Sequence, residues 1–363
     1  MPFTVRLSRV ALGYRGGATL HTATSGVVAG LDELRLVLRH DGALAGLGAS
    51  RVNIAYLTGI DPEQLVAEAI ALCATIDWRS APDAWVAAAE NATAPVRMLV
   101  EMAARDAAAR RAGVSLARQL GGTPAVSTPT NQTLFWCDEP TLRTRVENFV
   151  ARGFTDLKLR VGIGPVAEDL HRLALVREIA GPDATLSVDA NGTWSREQTL
   201  AFLSSARPQR LAYCEQPLPA NDRAGLIELA RATPTPVMLD ESLDGPAAIA
   251  WLVASRAAPL AHLKLAKLGG LDRLVAAGRA LQAAGIGVMV GQMNEGTPST
   301  LAAAHAALAL AAPWRELYGA DGLVHDPAGL PAYAGGVLAL PQGAGLGLAD
   351  HSDDGPTLWE TTT

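Results

Sequence analysis

Lys158, Arg160, Asp189, Glu215, Asp240 and Lys264 each fall at the end of a short apolar run: LKLR, LSVD, AYCE, VMLD and HLK. Counted from Lys158, the steps to the acids and the last lysine are 31, 26, 25 and 24 residues, a near-constant interval that one strand and one helix would fill. Three acids brought to one place repel strongly unless they are protonated or share a cation. Three carboxylates with room for water and a substrate oxygen suit Mg2+, or Mn2+ in its place; zinc would draw His or Cys, and none of the seven histidines ends these runs. The competing reading makes each acid a turn cap or a salt-bridge partner, as Asp189 before Asn191-Gly192 illustrates.

Side chains two apart on a strand share a face, so Lys158 and Arg160 point one way while Leu157, Leu159 and Val161 point the other. The same alternation sets Lys264 against Leu263 and Leu265. In a ring of eight strands, the second and sixth lie opposite one another. A ligand at the acids would then sit between two cationic walls. A hydrogen next to a carboxylate is a very weak acid, and each pKa unit of mismatch with a base costs ~1.4 kcal/mol. A divalent cation and a nearby ammonium stabilise the enediolate as it forms, and they lower the pKa of a neighbouring lysine that serves as base.

The elements that must position these groups are legible from about Pro129 onward. Strands are predicted at 130–136, 154–160, 185–189, 210–215, 236–240, 261–264 and 287–291, with a weaker eighth around 315–318. Amphipathic runs such as AEDLHRLALVREIA and LDRLVAAGRALQAAG separate them. Alternating strand and helix implies a parallel sheet, and eight units favour a TIM-type (β/α) barrel over a doubly wound sheet. Residues 1–125 read as an α+β module: TVRLSRVAL and DELRLVLRHDGALAGLGAS form an antiparallel sheet, with helices near 62–76 and 95–118. The barrel is assigned to residues 126–322, and the Gly- and Pro-rich tail 323–363 is expected to pack back on the first module.

Composition narrows the function classes. The net charge is −6, from 30 basic and 36 acidic residues in a mixed order, so no basic stripe is available for nucleic acid. No window reaches the ~18 apolar residues of a membrane span, and the N-terminus lacks a signal-peptide core, so a cytoplasmic protein is expected. Cys73, Cys137 and Cys214 lack CxxC spacing and suit buried free thiols. The glycines of KLGGL and NEGT form neither a P-loop nor GxGxxG.

In order and spacing, LKLRVG, VDANGTW, CEQPLP, LDES, HLKLAKLGG and GQMNEG, with AYLTG near the N-terminus, resemble the enolase superfamily, in its muconate lactonizing enzyme and dipeptide epimerase group. The resemblance implies a modified, enolase-like barrel under an N-terminal capping domain, whose loops near 15–20 and 49–59 close the site. It further implies Asp189, Glu215 and Asp240 as metal ligands, Lys264 as acid/base and Lys158 as a group polarising the substrate carboxylate. Relatives suggest a homo-oligomer, a dimer or an octamer. Two departures stand out. Arg160 replaces the second lysine of the family's Lys-x-Lys, and arginine essentially keeps its proton. Dipeptide epimerases hold a substrate ammonium with Asp-x-Asp after the last strand, whereas LYGADGL leaves Asp321 alone.

Smaller assignments complete the reading. Asn191 orients a water or simply forms a turn, while Asn294 and Glu295, at the end of the seventh strand, hold substrate, orient Lys264 or shape a loop. Glu241 is a candidate partner for a lysine, Tyr56 a candidate substrate contact, and Lys267 and Arg273 read as helix-start and surface charges. The function expected is Mg2+-dependent proton abstraction beside the carboxylate of a small acid or amino-acid derivative, giving a cycloisomerase, epimerase or racemase. A dehydratase or other lyase with Lys264 as base is the alternative, and a non-catalytic metal-binding relative the second.

Overall fold

The computed structural model describes residues 3–349 and 355–363. The first module is built on an antiparallel sheet in which Phe3–Gly13 lies between Thr357–Thr362 and Gly30–His40, with Ala43–Arg51 beyond. Asp41 and Gly42, both at positive φ, make the tight turn of the 30–51 hairpin. Helix Ala94–Arg111 crosses that sheet so closely that a Cβ at Gly48 would stand 2.0 Å from the carbonyl oxygen of Leu99. Only glycine fits there.

Eight parallel strands follow in sequential order: Gln132–Leu134, Asp156–Arg160, Thr185–Asp189, Cys214–Glu215, Val237–Leu239, Leu260–Lys264, Gly287–Gly291 and Trp314–Glu316. The ring is drawn together where Asn131 N–H donates to Arg315 O (3.0 Å) and Leu317 N–H donates to Thr130 Oγ1 (2.8 Å). Helices return the chain along the outside, their starts fixed by local chemistry: Asp138 accepts from Thr141 N–H, Ser195 and Gln198 form a capping box, and Asp222 accepts from Gly225 N–H. The expected capped barrel is the fold observed. The fourth strand is shorter than the run RLAYCE suggested, because Arg210 turns into the left-handed region (φ 48°) and only Cys214–Glu215 pairs.

The tail divides, rather than packing on the cap alone. Tyr333–Ala334 and Val337–Ala339 join Ser127–Pro129 in a small antiparallel sheet at the entrance to the first barrel strand, and Thr357–Thr362 completes the cap sheet. Residues 350–354 lie outside the described residues. Cap and barrel are joined by a buried ionic cluster in which Arg35 pairs with Glu33 (2.7 Å) and Asp326 (3.1 Å). Both acids also accept backbone N–H groups at the start of helix Thr297–Ala309, Glu33 from Gly296 and Asp326 from Thr297. That is where a helix dipole favours anions.

His305, buried on that helix, sets a pH dependence of stability. Burial pushes its pKa down to about 4, against a weak opposing pull from the backbone of Leu346. The unfolded chain therefore binds a proton that the native state refuses, so stability falls as pH drops from 6.5 toward 4, by on the order of 3 kcal/mol. Denaturant titrations at pH 7 and pH 4.5 should show this loss, and His305→Leu should flatten it; an equal slope in the variant refutes the assignment.

Candidate active site

The strand ends bring the acids and amines into one buried cluster. Lys158 Nζ donates to Glu215 Oε2 (2.8 Å), stands 3.9 Å from Asp189 Oδ2, and contacts Glu316. Arg160 pairs with Asp189. Across the barrel Lys264 Nζ donates to Asp240 Oδ2 (2.6 Å). The cluster is placed by neighbouring register: Glu215 lies beside Asp189, and Gln216 accepts the backbone N–H of Asp240 (3.0 Å), tying the fourth strand end to the fifth.

Charge pairing sets the protonation states. Burial alone would raise the Glu215 carboxyl, but Lys158 and then His262 hold it well below the usual carboxylate range. Asp240 is likewise held low, by Lys264, Lys267 and His262 against burial. Burial would lower Lys264, yet Asp240, Glu316 and Glu215 leave it above its ordinary value. His262 is driven down by burial and Lys264 against the pull of Glu215 and Asp240, and its Nδ1 lies 2.8 Å from Glu215 Oε1, which accepts from it.

A cavity of about 70 Å³ opens onto this cluster, lined by Arg160, Asn191, Asp240, Glu241, Lys264, Gln292 to Asn294 and Tyr318. Its cap side is Thr22, Thr24, Ser25, Tyr56 and Leu57. The 20–28 hairpin turn thus covers the mouth in place of the expected 15–20 loop, while the 49–59 loop contributes Tyr56 and Leu57. Tyr56 also stacks under Arg51, which holds the loop after the seventh strand by donating to Met293 O (2.5 Å). Asn191, at φ 46°, donates its backbone N–H to Asp189 Oδ1 (2.8 Å) and its amide to Glu241 Oε1 (3.0 Å).

Glu295, Asp321 and Lys267 stand elsewhere than expected. Glu295 is fully buried away from the mouth, its carboxylate accepting from Met293 N–H (3.0 Å); Asn294, turned by a φ of 56°, is the residue that reaches the cavity. Asp321 is held by Arg152 (2.8 Å) and by the amide of Gln132 (2.9 Å), so the side chains two apart at the eighth strand end are Glu316 and Tyr318. Lys267 is no surface charge: it is buried and donates to Asp240 O (2.5 Å) as well as to the carboxylate. Glu241 accepts from the Asn191 amide, and Lys264 and Lys267 act on it through space, without an ion pair among the described residues. Arg273 pairs with Glu90 at the surface. His262 and Glu316 were not singled out, although His262 shares the strand face of Lys264 by the same alternation.

The donor set fits a hard divalent cation. Glu215, Asp240 and His262 offer ligand atoms within 4.8 Å of one another, and Asp189 adjoins them through Lys158. Among the described residues, Glu241 Oε2 and Asn191 Oδ1 are buried acceptors without a donor. Asp189, Glu215, Asp240, Glu241 and Glu316 face four fixed cations, Lys158, Arg160, Lys264 and Lys267.

The fold is therefore that of a capped barrel whose ionisable groups gather at the carboxyl ends of the strands, the face on which such barrels carry chemistry. A family model described as enolase C-terminal domain-like matches residues 141–353, and the chain belongs to that family. Muconate cycloisomerase 1 of Pseudomonas putida is 31% identical over 256 residues, 69% of this chain and 68% of that one. Among solved structures, the substrate-liganded L-Ala-D/L-Glu epimerase from Bacillus subtilis has a TM-score of 0.87 at 25% identity, covering 96% of this chain and 98% of the other. The dipeptide epimerase from Cytophaga hutchinsonii, complexed with Mg and D-Ala-L-Val, has a TM-score of 0.89 over the full length of both chains; at 23% identity that likeness speaks to fold alone. The protein is an enzyme of the enolase superfamily whose named relatives are isomerases. Among the described residues no helix is long and apolar enough to cross a membrane.

Proposed function

We propose that the protein isomerises a small carboxylate by removing the proton beside the carboxyl group, in a reaction assisted by Mg2+ and run from the Lys264 face. One observation carries the reading: Lys264 and Arg160 line the same mouth from the sixth and second strands, with the acids between them. Asp189, Glu215 and Asp240 would hold the cation, with His262 within reach of the same point. Mg2+ is favoured by the oxygen-rich donors. When bound, such a cation neutralises charge developing on the substrate carboxylate and lowers the pKa of a neighbouring amine.

The chain's own groups supply the rest. Lys158 is pinned among Glu215, Glu316 and Asp189, and its buried ammonium offers a fixed positive charge toward the substrate carboxylate. Lys264, made neutral when the cation lowers its pKa, would take the α proton on its own face; with no second base the enediolate would give an isomer only by breaking or forming a bond at the β carbon, as in a cycloisomerisation, and return of the proton to the same carbon would show only as exchange with retention. Arg160 faces the opposite side of the substrate plane as a permanent cation, without a proton to exchange. Gln216 holds the Asp240 backbone, and the cap residues Tyr56 and Leu57 keep water from the mouth.

The test is α-hydrogen exchange in deuterated solvent, followed by NMR across a panel of carboxylates with Mg2+ present. Wash-in with retention supports one-face chemistry, loss of a β group supports elimination, and no wash-in across the panel refutes proton abstraction. Arg160→Lys should introduce a second exchangeable group, raising inverted product relative to retained product by about tenfold or more. Unchanged stereochemistry in that variant would remove Arg160 from the facial assignment.

A further inference from the structure

Beside the mouth lies a second chamber of about 350 Å³ that shares Asn294 and Tyr318 with it. It adjoins the Arg160 side, where the guanidinium lies 5.8 Å from the centre of the Phe135 ring. Most of its exposed lining surface is apolar, with Leu20, Phe135 and Phe149 contributing, so an extended hydrocarbon or a ring is accommodated along those side chains, while the Tyr14 and Thr133 hydroxyls and the Asn294 amide oxygen stand at its edge without a hydrogen-bond partner among the described residues.

The charges around this chamber are one-sided. Arg152 and Asp321 neutralise each other at 2.8 Å, and Asp321 is further occupied by Gln132. Arg152 also donates to Tyr333 O (3.1 Å). Two more arginines border the same space from different parts of the fold. Arg15, from the cap, uses its Nε on Leu323 O (3.0 Å). Arg145, half-buried on helix Glu139–Ala151, has no hydrogen-bond or ion-pair partner among the described residues and feels only through space the exposed carboxylate of Asp138 at the helix start, outside the chamber. No acid lining the chamber is left to accept a cation. A guanidinium against an apolar wall binds a carboxylate in charge-assisted, often bidentate fashion, strongly favouring an anion over a neutral amide or an ammonium.

We propose that this chamber holds the far half of the substrate, an apolar or aromatic body ending in a carboxylate or similar anion, and that Arg145, aided by Arg15, recognises that distal anion. The assignment rests on the proposed function in placing the reacting carboxylate at the mouth. It makes the preferred substrate a dianion with its two acid groups separated by roughly one ring. A substrate with a distal ammonium is disfavoured, since Asp321 already has two donors.

Calorimetric titration of the full chain with Mg2+ present separates the possibilities, using 3-(4-carboxyphenyl)propanoate and its para-carboxamide and para-aminomethyl counterparts. The carboxylate compound should bind about tenfold tighter than the amide, and the aminomethyl compound weakest. Arg145→Gln should erase most of the preference of carboxylate over amide, and Arg145→Lys should restore part of it. Arg143→Gln, on the same helix but not bordering the chamber, should leave the ranking intact. Equal affinity of the three compounds, no binding by any of them, or a preference that survives Arg145→Gln overturns the proposal. α-Hydrogen exchange measured on the same compounds keeps the two readings apart. A distal-anion preference without exchange refutes the enediolate chemistry and keeps the chamber, whereas exchange without that preference refutes the chamber alone.

Discussion

Lys264→Ala is expected to lower α-hydrogen exchange by about a thousandfold or more, the range that loss of a positioned acid/base group produces. The amine is buried at the end of the sixth strand, donating to Asp240 Oδ2, and it shares the mouth with Asn191, Glu241 and Tyr318. Among the described residues no other amine lines that cavity: Lys158 is engaged with Glu215 and Glu316, and Lys267 is turned onto the backbone and carboxylate of Asp240. Mg2+ binding should survive the substitution, because Asp240 keeps Lys267 as a partner and Glu215 keeps Lys158 and His262. Calorimetry with Mg2+ and exchange followed by NMR read the two properties separately. Retained exchange would remove Lys264 from its proposed role, whereas loss of both properties would mean that the variant had collapsed the acid cluster.

The parts of this site that were legible in the sequence are those governed by strand alternation. A buried strand flanked by helices leaves one parity apolar, so Lys158, Arg160 and Lys264 stand out against leucines, and Asp189, Glu215 and Asp240 mark where strands stop. The same rule, applied two residues earlier, would have exposed His262. Lys267 escaped because the chain closes a one-turn helix at Leu265–Leu268 directly after the strand, and three residues in a helix bring its amine back beside that of Lys264, onto the same Asp240. Glu316 was hidden by a weak eighth strand of three residues, too short to show a period. Asn294 and Glu295, given one assignment, part company because a single left-handed residue redirects the loop, and adjacent residues in a turn carry no parity from which to read direction. The chamber beyond Arg160 joins the cap, the first barrel helix and the eighth strand loop, segments too far apart in sequence for any motif to unite.

Asp240→Asn should abolish exchange and destabilise the protein together, because one carboxylate serves two buried ammonium groups. Lys264 and Lys267 both pair with it, and its own proton is held off well below the usual range by these neighbours against the opposing effect of burial. Removing the charge leaves amines with no comparable counter-ion, a change that costs about 3–5 kcal/mol for buried pairs. The pH dependence changes sign in a readable way. In the native protein the depressed Asp240 contributes stability above the ordinary carboxylate range, and that stability is lost only as pH falls through its lowered value. In the variant, Lys264 loses the neighbour that most raises its pKa, and burial then favours the neutral amine. The unfolded chain then holds a proton that the folded one releases, so the stability of Asp240→Asn should rise from pH 7 toward pH 10 relative to the native protein. Chemical denaturation across that range tests the sign. Chelation provides the matching control on the native chain: exchange should vanish with EDTA, return with Mg2+, and leave the His305-dependent loss of stability at low pH untouched. Exchange that persists in the chelated protein, or in Asp240→Asn, would show that the acids at the strand ends act as structural counter-charges to the amines and nothing more.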